Sequence, residues 1–141
     1  MTSFKDKIQL VKSRFSDCDN AEYRYMRIIE LGRDLPPLDP KDCVEFNRVV
    51  GCQSRMYLHS DCVNGLMIFS AQSDALISAG LAALLVAVYS GESPETVLKE
   101  APTYLSELGV SDSISPNRAN GLHSLHLRMK QEALKSLVAA G

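Results

Sequence analysis

Four cysteines, Cys18, Cys43, Cys52 and Cys62, are the side chains best able to do covalent chemistry. The thiolate form of cysteine serves both as nucleophile and as metal ligand. Cys52 is set apart by its neighbours, Val49-Val50-Gly51-Cys52-Gln53-Ser54, which lie between two β-prone runs. Gly51 lets the backbone turn sharply, so the thiol is expected on a loop tip held by a sheet. Amide and hydroxyl donors from Gln53 and Ser54 would then be near enough to steady a sulfur anion. The residue pattern alone leaves this open, because an unpaired cysteine also serves as a small buried hydrophobe.

A second grouping uses Cys43, Cys52, His59 and Cys62. Three thiols and an imidazole could make a tetrahedral zinc or nascent-cluster site. The spacings lack paired C-x-x-C ligands, so no metal is expected. Cys18 falls near a helix end. His123 and His126 flank Leu122 and Leu125 on a late helix, and places beside a core stripe account for them.

The elements that must position Cys52 follow from hydrophobic periodicity. Apolar residues at 4, 8, 11 and 15 predict a first amphipathic helix. A second is predicted after Asp19 or Asn20, carrying Tyr25, Ile28, Ile29 and Leu31 inward and stopping at Gly32. Leu35-Pro36-Pro37-Leu38-Asp39-Pro40 cannot stay helical, since proline lacks the amide donor. The pattern then changes to β-prone runs at 44–50, 55–60 and 66–71, with an Asn64-Gly65 turn between the last two. A three-stranded antiparallel meander is predicted, with Met56 and Leu58 facing inward.

Ser73-Asp74 is expected to cap a buried central helix over 75–89, a charge-free span shorter than the roughly 20 residues a membrane crossing needs. Ser93-Pro94, Ala101-Pro102 and Ser115-Pro116 each mark a helix start. The last helix is predicted over 117–138, burying Leu122, Leu125, Met129, Ala133 and Leu137. The fold class is therefore α+β, a small three-stranded antiparallel sheet packed against helices.

Composition narrows the function classes. With 141 residues, 45% of them hydrophobic, the chain suits one globular domain over 1–141. Fifteen Lys and Arg against seventeen Asp and Glu give a formal charge of -2. No basic tract is long enough to follow a phosphate backbone, so neither nucleic acid nor a membrane is an expected partner. Residues 1–10 carry no apolar signal core or Arg-rich transit pattern, and a cytoplasmic location with free thiols is expected.

The run Asn47-Arg48-Val49-Val50-Gly51-Cys52-Gln53-Ser54 resembles the signature around the reactive cysteine of the SufE family. These are sulfur acceptors that work with cysteine desulfurases in iron–sulfur cluster assembly. Three further stretches agree in order. Tyr25-Met26-Arg27-Ile28-Ile29-Glu30-Leu31-Gly32 leading into Leu35-Pro36 resembles the family's second helix and its exit. Ser73-Asp74-Ala75 with Gly80-Leu81 resembles the start of its central helix, and Ser115-Pro116-Asn117-Arg118-Ala119-Asn120-Gly121-Leu122 that of its last. The resemblance runs from about residue 4 to about residue 137.

The resemblance implies a fold shared with IscU-type scaffolds and Cys52 as a persulfide acceptor. Its sulfur would come from a SufS-like, pyridoxal-phosphate-dependent cysteine desulfurase, which this chain would also stimulate. The sulfur would pass to a SufB-containing scaffold complex. The pyridoxal phosphate belongs to the partner, so the chain is expected to need no cofactor of its own and to be an accessory carrier, not itself an enzyme. Gly51, Gln53 and Ser54 are implied to shape the acceptor loop. Arg118 has the implied role of electrostatic support for Cys52, since a nearby cation favours a thiolate; a solvated or surface-paired arginine is the alternative. Asp74 is explained as a helix N-terminal charge, with a part in the partner surface allowed by the resemblance. A homodimer stays open. Two other readings remain: an IscU-like scaffold built on Cys43, Cys52, His59 and Cys62, and a docking module that activates a desulfurase without carrying sulfur.

Overall fold

A computed structural model describes residues 3–52 and 54–140. Helix α1 (Phe4–Ser13) begins at a capping box, in which Ser3 Oγ accepts from the Asp6 amide and the Asp6 carboxylate accepts from the Ser3 amide. Helix α2 (Ala21–Asp34) is capped by Asn20, whose side-chain oxygen accepts from the Tyr23 amide at 2.9 Å. It does not stop at Gly32 as predicted. A Cβ there would collide with the Leu76 carbonyl oxygen and lie 2.7 Å from the Gly80 amide nitrogen. Gly32 is a crossing point, and Gly80 faces the Ile28 backbone in the same way. Paired glycines let α2 lie directly on helix α3 (Leu76–Tyr89). Ile28 is fully buried by that crossing, whereas Tyr25, expected inward, is exposed.

Ten of the fourteen residues of α3 are buried, as its lack of charge predicts. The expected cap is corrected: Ala75 is the N-cap residue, and no side chain caps the helix. Asp74 turns instead to Arg55, accepting from its amide at 3.0 Å while the Asp74 amide donates to the Arg55 carbonyl at 3.2 Å.

Among the described residues the sheet has two strands, not three. Strands β1 (Met56–Val63) and β2 (Leu66–Ser73) pair antiparallel from Met56↔Ser73 to Val63↔Leu66. Asn64 (φ 52°) and Gly65 (φ 80°) close the hairpin in the left-handed conformation that a two-residue loop requires. Met56 and Leu58 face the core as expected. The run predicted as a first strand, 44–50, holds a 3-10 turn at Glu45–Asn47 and touches the sheet only through the Arg48↔Tyr57 bridge.

Local hydrogen bonds explain that loss. After a first 3-10 turn at Pro40–Asp42, the Val44 carbonyl accepts from the Asn47 amide at 2.9 Å and the Glu45 carbonyl from the Arg48 amide at 3.0 Å, and Asn47 Nδ2 donates back to the Asp42 carbonyl at 2.8 Å. These bonds engage backbone that a strand would offer to its neighbour. Burial is not alternating either: Val49 is 3% exposed, but Phe46 is 75% and Val50 88%.

Short helices α4 (Pro94–Lys99), α5 (Thr103–Glu107) and α6 (Val110–Ser113) lead to α7 (Pro116–Ala140). Leu125, Met129 and Ala133 of α7 join Met56, Leu58, Phe69, Leu85 and Val88 in one core cluster. Leu122 and Leu137, predicted in the same stripe, are only partly buried. The buried Tyr104 hydroxyl donates to the Leu84 carbonyl at 2.8 Å, and the Tyr89 hydroxyl to the Glu100 carbonyl at 2.6 Å. The molecule is α+β, and among the described residues no helix is long and apolar enough to cross a membrane.

Candidate functional site

Cys52 follows the sharp turn that its sequence predicts. Gly51 has φ 97°, a conformation in which any side chain would be strained, and a Cβ there would also strike Ser124 Oγ on α7. The loop is therefore laid down on α7. Cys52 is half-buried and not a free tip: its Sγ lies 3.5 Å from the Gly121 carbonyl oxygen, to which the thiol donates.

The thiol opens on a small cavity of about 10 Å³, near the space one water needs. Its walls include Met56, Ser78, Leu81, Arg118, Gly121 and Leu125. Removal from water pushes the Cys52 thiol above its ordinary pKa, and the Arg118 guanidinium opposes that with a smaller downward pull. Arg118 pulls the Cys52 pKa down, while burial sets the net sign.

A chain of hydroxyls backs the cavity. Arg118 Nη1 donates to Ser78 Oγ at 2.7 Å, and Ser54 Oγ donates to the same oxygen at 2.8 Å. Ser73 Oγ donates to Ser54 Oγ at 3.3 Å, and the Ala75 amide donates to Ser73 Oγ at 3.3 Å. Ser54 therefore reaches the site through Ser78. Asp74 is not among the residues lining the cavity; its carboxylate accepts from the Arg55 amide, next to Ser54 in the chain. Gln53 lies outside the described residues.

Sequence reasoning passed over Ser78 and Gly121. Ser78 was visible as the lone serine in the apolar run of α3. Gly121 was visible as a glycine well inside a helix, where it costs about 1 kcal/mol relative to alanine.

The alternative ligand set is not assembled. His59 Nε2 meets Asp61 at 3.1 Å and its Nδ1 lies 3.6 Å from Asp42. Cys62 is exposed on β1 opposite Met67, and Cys43 follows the first 3-10 turn. Among the described residues no three His, Cys, Asp or Glu side chains gather closely enough to hold a metal ion. Cys18 Sγ lies 3.7 Å from the Tyr23 carbonyl, away from the cavity. His126 packs on Tyr89 with ring centroids 5.2 Å apart, its Nε2 is buried without a partner, and its pKa falls to about 4 through burial.

A half-buried thiol beside an arginine, on a loop that joins a hairpin to a helical layer, defines a thiol-bearing α+β protein with no assembled metal cage among the described residues. Residues 9–133 match the SufE family, described as the Fe-S metabolism associated domain, and the chain belongs to that family. It is 35% identical over 135 residues to an uncharacterized SufE-like protein of Rhizobium etli, covering 92% of this chain and 91% of that one. A similar protein of Rhizobium meliloti is 36% identical over 124 residues, covering 84% and 89%. One of Synechocystis is 28% identical over 124 residues, covering 88% and 78%. The solution structure of a hypothetical protein from Thermus thermophilus superposes with a TM-score of 0.74 at 29% identity, over 96% of each chain.

Proposed function

We propose that this protein accepts sulfur as a persulfide on Cys52 from a pyridoxal-phosphate-dependent cysteine desulfurase, and passes it on for iron–sulfur cluster assembly. One observation carries the reading: the Cys52 thiol lines a small cavity with Arg118 and the buried Ser78 hydroxyl that Arg118 and Ser54 hold, whereas Cys18 lies in a wider cleft where the carboxylates Asp17 and Glu30 accompany Arg27. Membership of a family associated with iron–sulfur metabolism supports it.

The chemistry is thiol–disulfide exchange in kind. Cys52 loses its proton, and its thiolate attacks the terminal sulfur of the desulfurase persulfide. A new S–S bond forms at Cys52, the donor's S–S bond breaks, and the donor cysteine leaves as a thiolate that takes up a proton. One S–S bond replaces another, so no outside oxidant or reductant is needed, and the transferred sulfur can then release its own proton to stand as an anion. Removing sulfur from the desulfurase in this way would also speed its turnover. Val50, two residues before Cys52 and largely exposed, offers apolar surface on the same loop for such a partner. A SufB-containing complex is the proposed recipient, and the cytoplasm the proposed location.

The test is desulfurase turnover on free cysteine. The wild-type chain should accelerate it, and Cys52→Ser should not. Equal acceleration by both would identify a docking activator that carries no sulfur and would overturn the proposal.

A further inference from the structure

We propose that Ser78 is the hydrogen-bond donor that receives the anionic sulfur at Cys52, as thiolate before transfer and as terminal persulfide sulfur after it. Ser54 and Arg118 hold its hydroxyl in place for this. The inference rests on the sulfur-acceptor reading and assigns a residue to its anionic states.

The argument begins with what Gly121 can do. Its carbonyl accepts from the Cys52 thiol at 3.5 Å and has no hydrogen to give. It suits the protonated thiol and repels the ionised one. A sulfur anion at this position must turn to a donor in the cavity wall, where Ser78, Asn117 and Arg118 are the side chains that can supply one.

Ser78 is the buried member of that set, at 6% exposure, and Arg118 Nη1 is already committed to it. The Ser78 oxygen accepts from both Arg118 and Ser54, which uses its two lone pairs. Its own hydrogen is what remains, and among the described residues it has no acceptor. The direction of the chain follows from the geometry at each oxygen. The Ala75 amide donates to Ser73, Ser73 to Ser54 and Ser54 to Ser78, and the Arg118 guanidinium donates to Ser78 from the other side. A buried hydroxyl left with a free hydrogen is costly, and a sulfur anion in the cavity would satisfy it. Two donors converging on one oxygen also polarise its O–H, making it a better donor.

The charged group whose field reaches Cys52 is Arg118 from α7. Asp74, on the segment leading into α3, is tied to the Arg55 amide. The pH profile of thiolate formation therefore reads Ser78 against a background with one cation.

The experiment is alkylation of Cys52 by iodoacetamide as a function of pH, followed by mass spectrometry of the Cys52 peptide. Ser78→Ala should slow the reaction about tenfold at neutral pH and move the profile up by about one unit, the size expected for one hydrogen bond to a charged group. Ser78→Thr, which keeps the hydroxyl, should restore most of the rate. Ser54→Ala, which keeps Ser78 and removes one of its orienting donors, should give a smaller shift in the same direction. Circular dichroism and thermal melting of each variant show whether it is folded. A folded Ser78→Ala with the wild-type profile would overturn the inference; if that variant does not fold, an unshifted Ser54→Ala would do so. Sulfur uptake by the wild-type chain is measured alongside. Its absence would remove the sulfur-acceptor reading, while the alkylation profile would still report whether Ser78 stabilises the thiolate.

Discussion

The Cys52 thiol donates to the Gly121 carbonyl across 3.5 Å, so a helix interior supplies an acceptor to the sulfur and favours its protonated form. Burial acts in the same direction and Arg118 against it. The resting thiol is therefore a guarded nucleophile. In the isolated protein, alkylation of Cys52 should be slower at neutral pH than that of free cysteine, and should rise with pH beyond the ordinary thiol range. Rates equal to those of free cysteine at neutral pH would contradict the guarded state.

Gly121→Ala separates stability from chemistry. The new methyl would lie 3.5 Å from Cys52 Sγ, ordinary contact for a thiol but within the space an added sulfur would use. Removing a mid-helix glycine should stabilise the protein by up to about 1 kcal/mol. Persulfide formation on Cys52 should slow at the same time. Chemical denaturation and sulfur-loading kinetics on one preparation check both signs.

The α2–α3 crossing makes the opposite prediction for a glycine far from the thiol. A Cβ at position 80 would run into the Ile28 carbonyl and lie 2.6 Å from Ile28 Cγ2. Gly80→Ala should destabilise by about 1–3 kcal/mol, or more where the helices cannot separate. Urea denaturation measures it. A neutral result would mean that the two helices do not cross at that distance.

Much of this arrangement was legible in the sequence, and the exceptions share a cause. The central helix, the hairpin at Asn64-Gly65 and the Leu125-Met129-Ala133 stripe follow from periodicity and turn chemistry. The strand expected over 44–50 was lost because the Val44 and Glu45 carbonyls accept from Asn47 and Arg48 in a local 3-10 turn, which β-propensity does not register. Gly32 reads as a helix stop in sequence, but its role is set by Leu76 and Gly80 on another helix. At the site, Gly51-Cys52 and Arg118 were readable as a motif. Gly121 was readable only as part of the last-helix stretch and Ser78 not at all, since their relation to Cys52 comes from facing it across elements far apart in the chain. Asp74 was read as a cap because a carboxylate before a helix ordinarily is one, and the Arg55 amide took it instead.

His126 gives a pH dependence of stability. Its folded pKa, about 4, is below its ordinary value of 6.5. The unfolded chain therefore binds a proton that the folded one refuses, and the stability this group contributes is present above pH 6.5 and lost as pH falls towards 4. His126→Phe keeps a ring against Tyr89 and removes the unpartnered Nε2. The variant should gain stability relative to wild type progressively as pH drops through that window. A constant difference across it would show that His126 does not titrate on unfolding.

The other thiols should be dispensable for sulfur acceptance. Cys18 is away from the cavity, Cys62 is exposed on β1, and Cys43 follows a 3-10 turn. Serine at each should leave most of the persulfide formation intact, measured by persulfide labelling after exposure to a desulfurase and cysteine. A loss at Cys43 or Cys62 comparable to that at Cys52 would point to a shared site.

The most direct test is the intact mass of the protein after incubation with a cysteine desulfurase and free cysteine. The wild-type chain should gain the mass of one sulfur atom, removable by a thiol reductant and mapped to the Cys52 peptide. Cys52→Ser should bind the desulfurase and gain nothing. A wild-type chain that binds but stays unmodified, or a Cys52→Ser variant that still gains a sulfur, would contradict the assignment of Cys52 as the acceptor.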